Sequence, residues 1–138
     1  MKTKNIMPLI AGKRKTAVAK VYIKEGSGNI FYNMLPHTEL SLFHRLALSE
    51  PIRIYQAELG GDLPYDFHIV TQSGGKEAQI QAARLGIAKA LLKITSSDTL
   101  KKAFIHYDRN MVVLDSRRKE TRKPGDSKAR AKRQKSYR

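Results

Sequence analysis

The stretch KEAQIQAARLGIAKALLKI, residues 76–94, organises the reading of the whole chain. Ile80, Ala83, Ile87, Leu91 and Ile94 fall within an arc of about 80° at 100° per residue, which is one apolar helix stripe. Lys89 and Lys93 lie opposite it, and Arg84 sits at its margin. Ser73-Gly74-Gly75 interrupts the chain immediately upstream, so the spacing predicts a helix over 76–94 that starts from a glycine turn. Such a helix needs a second layer to bury its stripe. Residues 16–24 offer one. Ala17, Ala19, Val21 and Ile23 alternate with Thr16, Lys20, Tyr22 and Lys24, the period of a half-buried strand. Val18 breaks the alternation and is left for a second contact.

Working outward, residues 1–10 read as a short leader and Lys13-Arg14-Lys15 as a basic cluster ahead of the strand. Residues 25–29, Glu-Gly-Ser-Gly-Asn, form a glycine-rich turn, so Ile30-Phe31-Tyr32 is expected to return as a hairpin partner. Pro36 and Thr38 mark a helix start. Leu40, Phe43, Leu46 and Ala47 repeat at helical spacing, and Pro51 is expected to stop the run. Residues 52–55 read as a short strand, 59–64 as a loop and 66–72 as another strand. Ser97 and Asp98 can cap a helix through about residue 107, and residues 111–114 read as a last strand. Strands first and helices later suggest an α+β two-layer sandwich with helices on one face of a sheet.

The remaining 22 residues, 117–138, differ in kind. They hold eleven Lys/Arg against two acids, a net of +9 out of +15 for the 138-residue chain. Apart from basic stems, only Pro124 and Tyr137 offer sizeable carbon surface. A segment of this composition cannot bury enough apolar area to offset its ordering entropy. It is expected to be mobile alone and ordered only against a polyanion. The chain therefore divides into a globular part, 1–116, and a basic tail, 117–138. A pI of about 10.2 points to nucleic acid. A membrane partner is disfavoured, because there is no long apolar run and the tail lacks Leu, Phe and Trp. The tail also lacks interleaved aromatics, which argues against base-specific reading by that segment.

Catalytic and metal chemistry find little support. The chain has no cysteine. Gly74-Gly75-Lys76 fails the mononucleotide pattern, because Val70 stands where a glycine is needed and Glu77 where Ser or Thr is needed. His37, His44, His68 and His106 show neither metal spacing nor a catalytic motif, and the carboxylates are scattered. No enzyme activity, metal or cofactor is expected. Arg84 admits two readings: an ion-paired residue at the core edge, or a stem on the core with its guanidinium reaching RNA.

Three stretches together resemble a known family, the universal ninth protein of the small ribosomal subunit. They are Gly12-Lys13-Arg14-Lys15-Thr16-Ala17-Val18-Ala19-Lys20-Val21; then Gly74-Gly75, Gln79, Arg84 and Gly86-Ile87-Ala88-Lys89-Ala90-Leu91; and then Asp115-Ser116-Arg117-Arg118 with the tail from Lys128 to Arg138. The ending Gln134-Lys135-Ser136-Tyr137-Arg138, with Tyr107-Asp108-Arg109 upstream, is similar to the archaeal and eukaryotic branch, and the length favours the archaeal one. Ser73 replaces the family's usual third glycine in the central turn.

The resemblance implies a ribosomal protein S5 domain 2-like fold with a left-handed crossover. It implies a structural role in the head of the cytoplasmic small subunit, with small-subunit rRNA, peptidyl-site tRNA and neighbouring head proteins as partners, and no homo-oligomer. Taken with the charge pattern, it assigns rRNA contacts to Lys13, Arg14, Lys15, Arg84, Arg117, Arg118, Lys119, Arg122, Lys123, Lys128, Arg130, Lys132 and Arg133. It assigns tRNA contacts to Lys135, Ser136, Tyr137 and Arg138. A generic basic-tailed nucleic-acid packaging protein is the alternative. A small kinase on the related fold is a further rival, which the missing phosphate-loop pattern disfavours.

Overall fold

The alternating stretch forms β2 (Ala17–Glu25), and its inward residues Ala17, Ala19, Val21 and Ile23 are all buried. It is the second strand of a five-stranded sheet in a computed structural model that describes residues 9–137. The other strands are β1 (Ile10–Arg14), β3 (Ile30–Tyr32), β4 (Leu35–Pro36) and β5 (Tyr65–Gln72). Their order across the sheet is β1-β2-β5-β3-β4. All neighbouring pairs are antiparallel except β3 and β5, which are parallel.

Three helices complete the fold: α1 (Leu42–Leu59), α2 (Lys76–Thr95) and α3 (Asp98–Tyr107). The long α2 lies on β1 and β2, α1 packs on α2, and α3 packs on α1. Because α2 lies between sheet and helix, burial extends beyond the predicted stripe to Ala82, Leu85, Ala88 and Ala90. Ser97 caps α3 by accepting a hydrogen bond from the Leu100 amide, as its side chain suits it to do. Phe67, Phe104, Leu48, Ile87 and Met111 are among the largest fully buried side chains. The structure is thus the expected α+β sandwich.

The α2–sheet contact is close because its residues are small. A Cβ placed on Gly12 would fall on the Ala82 carbonyl oxygen and 2.8 Å from the Gly86 nitrogen. A Cβ on Gly86 would lie 2.6 Å from Val21 Cγ2. Larger residues at these positions would hold helix and strand apart.

Several local expectations are corrected. Residues 10–14 are a strand, with Ile10 and Gly12 inward and Ala11 and Lys13 outward. Residues 30–32 do not form a hairpin with β2, because β5 inserts between them. The glycine-rich loop is held by that inserted strand instead. The Gly26 amide donates to Pro64 O at 3.0 Å, the Phe67 amide donates to Asn29 O at 2.8 Å, and Asp66 Oδ1 accepts from the Ser27 and Asn29 amides.

Pro51 does not stop its helix either. The helix begins after Ser41, later than Pro36, and runs through the buried Pro51 to Leu59, so residues 52–55 are helical rather than a strand. Burial of Leu48 and Pro51, with partial burial of Ile52, Ile54 and Tyr55 against the core, offsets the lost backbone bond. Residues 111–114 are not a strand. A 3-10 turn, Arg109–Met111, buries Met111 and leaves Val113 and Leu114 exposed.

Candidate nucleic-acid interface

The basic cluster at 13–15 divides according to strand geometry. Arg14 points inward from β1, where its Nε donates to Gln81 Oε1 at 2.8 Å and its guanidinium pairs with Asp115. Lys13 points to the opposite face, and Lys15 sits in the β1–β2 turn at φ 52°. Neither lysine has a carboxylate partner among the described residues. Sequence alone grouped three cations that the fold gives different tasks.

Asp115 is the root of the tail, and its side chain is only 9% exposed. Besides Arg14 it accepts from Arg117, at 2.8 Å from Nη2 and 2.9 Å from the backbone amide. Arg118 Nη1 donates to the Asp115 carbonyl at 3.0 Å. These bonds fix where the tail leaves the globular part.

Arg84 is held between carboxylates. Its Nε lies 2.6 Å from Glu50 on α1, and its Nη1 donates to Asp108 Oδ2, just after α3, at 2.7 Å. The Glu50 contact is ionic rather than a well-aligned hydrogen bond. One side chain, 17% exposed, thus ties α2 to α1 and to the end of α3. Burial would raise the Asp108 carboxyl, but the Arg84 hydrogen bond, the Asn110 amide and the charges of Arg84 and Arg14 outweigh it. The group is held below the usual aspartate range.

These bonds favour the core-edge account of Arg84, and they make it testable. In Arg84→Ala, two partly buried carboxylates lose their cation, and the isolated protein is expected to lose about 2 kcal/mol at pH 7. An aspartate whose folded value is depressed stabilises the fold above its unfolded value, and that contribution disappears as pH falls through the folded value. The gap between variant and parent should therefore close below about pH 4. Thermal unfolding at several pH values measures it. Unchanged stability combined with weaker incorporation into ribosomal particles would return Arg84 to the RNA-contact account.

The tail from 117 to 137 contains no helix or strand, and nearly all of it is exposed. At Pro124-Gly125 it turns: the Asp126 amide donates to Lys123 O at 3.4 Å, and Gly125 has φ 81°. Proline followed by a positive-φ glycine is the type II turn pattern. Beyond it Arg130 Nε reaches back to Glu120 at 2.9 Å. That pair is exposed and contributes little on its own. The other tail cations, Arg118, Lys119, Arg122, Lys123, Lys128, Lys132, Arg133 and Lys135, have no carboxylate partner among the described residues. Ser136 and Tyr137 are exposed at the end, and Arg138 lies outside the described residues. No group of His, Cys, Asp or Glu suited to a metal occurs among the described residues.

The family model described as Ribosomal protein S9/S16 matches residues 12–138. A relative from the archaeon Methanothrix thermoacetophila, the small ribosomal subunit protein uS9, is 40% identical over 129 residues, which covers 93% of this chain and 96% of that protein. Matches of this extent show the family, and the chain belongs to the ribosomal protein S9/S16 family of structural, non-catalytic ribosome components.

Proposed function

We propose that this protein is a structural constituent of the small ribosomal subunit, working in the cytoplasm, that binds small-subunit rRNA in the head. Lys13, Lys15 and the cations between Arg117 and Arg133 contact phosphates. Arg14 and Arg84 act chiefly by holding the surface that presents them. The tail end, Lys135 to Arg138, reaches the peptidyl-site tRNA. Neighbouring head proteins pack beside a single copy of the chain. The observation that carries this reading is the contrast in charge pairing. Cations at the tail root are clamped to Asp115, whereas most cations further along are unpaired and exposed. A tail held at its base and uncompensated along its length suits a polyanion.

A stretch of 15 residues such as 124–138 can span roughly 50 Å when drawn out, well beyond a core whose radius of gyration is about 13 Å. Removing residues 136–138 is expected to leave one copy of the protein per subunit while weakening tRNA holding by about 1–3 kcal/mol, the loss of one or two charge-assisted contacts. Filter binding of tRNA to purified subunits carrying the truncated chain reads the effect. Equal affinity with and without those residues would leave the tail as an rRNA anchor only.

A further inference from the structure

The sheet has a second face, which carries no α-helix among the described residues. Alternation places Val18, Lys20, Tyr22 and Lys24 of β2 there, opposite the buried Ala17, Ala19, Val21 and Ile23. Strand register then sets three rings side by side: Phe31 of β3 opposite His68 of β5, and His68 opposite Tyr22 of β2. The Phe31 and His68 rings are stacked, with centroids 4.7 Å apart and planes 12° from parallel. Tyr22 remains 41% exposed. Together with Lys24, Met34 and Val70, the rings line an open cleft of about 360 Å³.

The charge on this face is one-sided. Lys13 points the same way from β1, since it pairs in register with Val18. None of Lys13, Lys20 and Lys24 has a carboxylate partner among the described residues. The carboxylate that shares the face, Asp66, is engaged by the Ser27 and Asn29 amides. Burial and the nearby Lys24 hold His68 below its usual range, against a smaller opposing pull from Asp66, which favours the uncharged ring. The result is an aromatic row flanked by free ammonium groups.

We propose that this face binds an unpaired nucleobase of single-stranded RNA, stacked on the Tyr22–His68–Phe31 row, while Lys20 and Lys24 take the flanking phosphates. Stacking on an aromatic side chain tolerates any base and adds affinity that salt does not screen. The tail offers one aromatic ring for this, Tyr137, against three in the sheet row. A protein neighbour would also find apolar surface here, but three unpaired lysines favour a polyanion. The site uses none of the tail residues, so its failure would leave the proposed tail contacts standing.

The test uses the full-length chain, a ten-nucleotide oligouridylate and a ten-base-pair RNA duplex, both at 0.3 M salt to weaken purely ionic binding. Tyr22→Leu and Phe31→Leu are each expected to weaken the single strand about tenfold and to leave the duplex unchanged. Lys24→Gln changes an exposed side chain without touching the core, and should lower the salt slope for the single strand by about one ion. Thermal unfolding of each variant separates loss of fold from loss of site. Equal losses on single strand and duplex, or no loss from Tyr22→Leu and Lys24→Gln, would overturn the proposal. In subunits assembled with 4-thiouridine-substituted RNA, photocrosslinks to β2, β3 or β5 support it. Crosslinks confined to the tail, with the rings covered by a neighbouring protein, would replace it with a protein-docking surface.

Discussion

Between 50 and 200 mM salt, the affinity of the full-length protein for small-subunit RNA is expected to fall by about 10³- to 10⁵-fold, the range for a protein that neutralises roughly 6–10 phosphates. The structure bears on that number. Of the ten described Lys/Arg residues in the tail, Arg117 and Arg130 are paired with Asp115 and Glu120, leaving eight without a carboxylate. Each phosphate contact releases condensed counterions, and that release makes the affinity steep in salt. Deleting residues 128–138 removes Lys128, Arg130, Lys132, Arg133, Lys135 and Arg138. The slope of log affinity against log salt should become markedly shallower. Fluorescence anisotropy across this salt range measures both slopes. An unchanged slope after the deletion would mean that the ionic contacts lie elsewhere.

The largest effect on stability is expected from one methyl group. In Gly12→Ala the new Cβ meets the Ala82 carbonyl oxygen and the Gly86 nitrogen, both backbone atoms of a helix packed from two sides. Neither can move as a flexible side chain would, so β1 must lift from α2. Overpacking of this kind costs about 3 kcal/mol or more, which for a domain of this size lowers Tm by more than about 10 °C. Gly61→Ala is the control, because a Cβ there meets nothing within 4 Å. Differential scanning calorimetry of the two variants decides it. A Gly12→Ala protein melting with its parent would show that the helix–strand spacing is adjustable.

Sequence reading succeeded where one residue's neighbours along the chain determine its state. The helix predicted over 76–94 is found at Lys76–Thr95 because its apolar stripe and glycine turn are local. Strand β2 and the Ser97 cap were legible for the same reason. It failed where distant partners decide. Nothing between residues 24 and 30 announces that β5, some forty residues later, will insert beside β2 and displace the expected hairpin. At Pro51 the local rule against proline is overridden by burial against the core, an energy that no local pattern contains.

The candidate site divides in the same way. The tail's charge is visible by counting. That Arg14 turns inward to Asp115, that Arg84 spans two carboxylates, and that Tyr22, Phe31 and His68 form one row all require the strand register and helix packing to be known first.

The Arg14–Asp115 pair joins the first strand to the root of the tail across 101 intervening steps of chain. Loop closure of that length is entropically unfavourable and tends to come late in folding. A ribosome making this protein would therefore release the tail before the tail has a direction. Its aim is set only when the N-terminal edge of the sheet has zipped into place. A chain caught half-folded would carry the full positive charge while the root of its tail still lacked the Arg14 anchor.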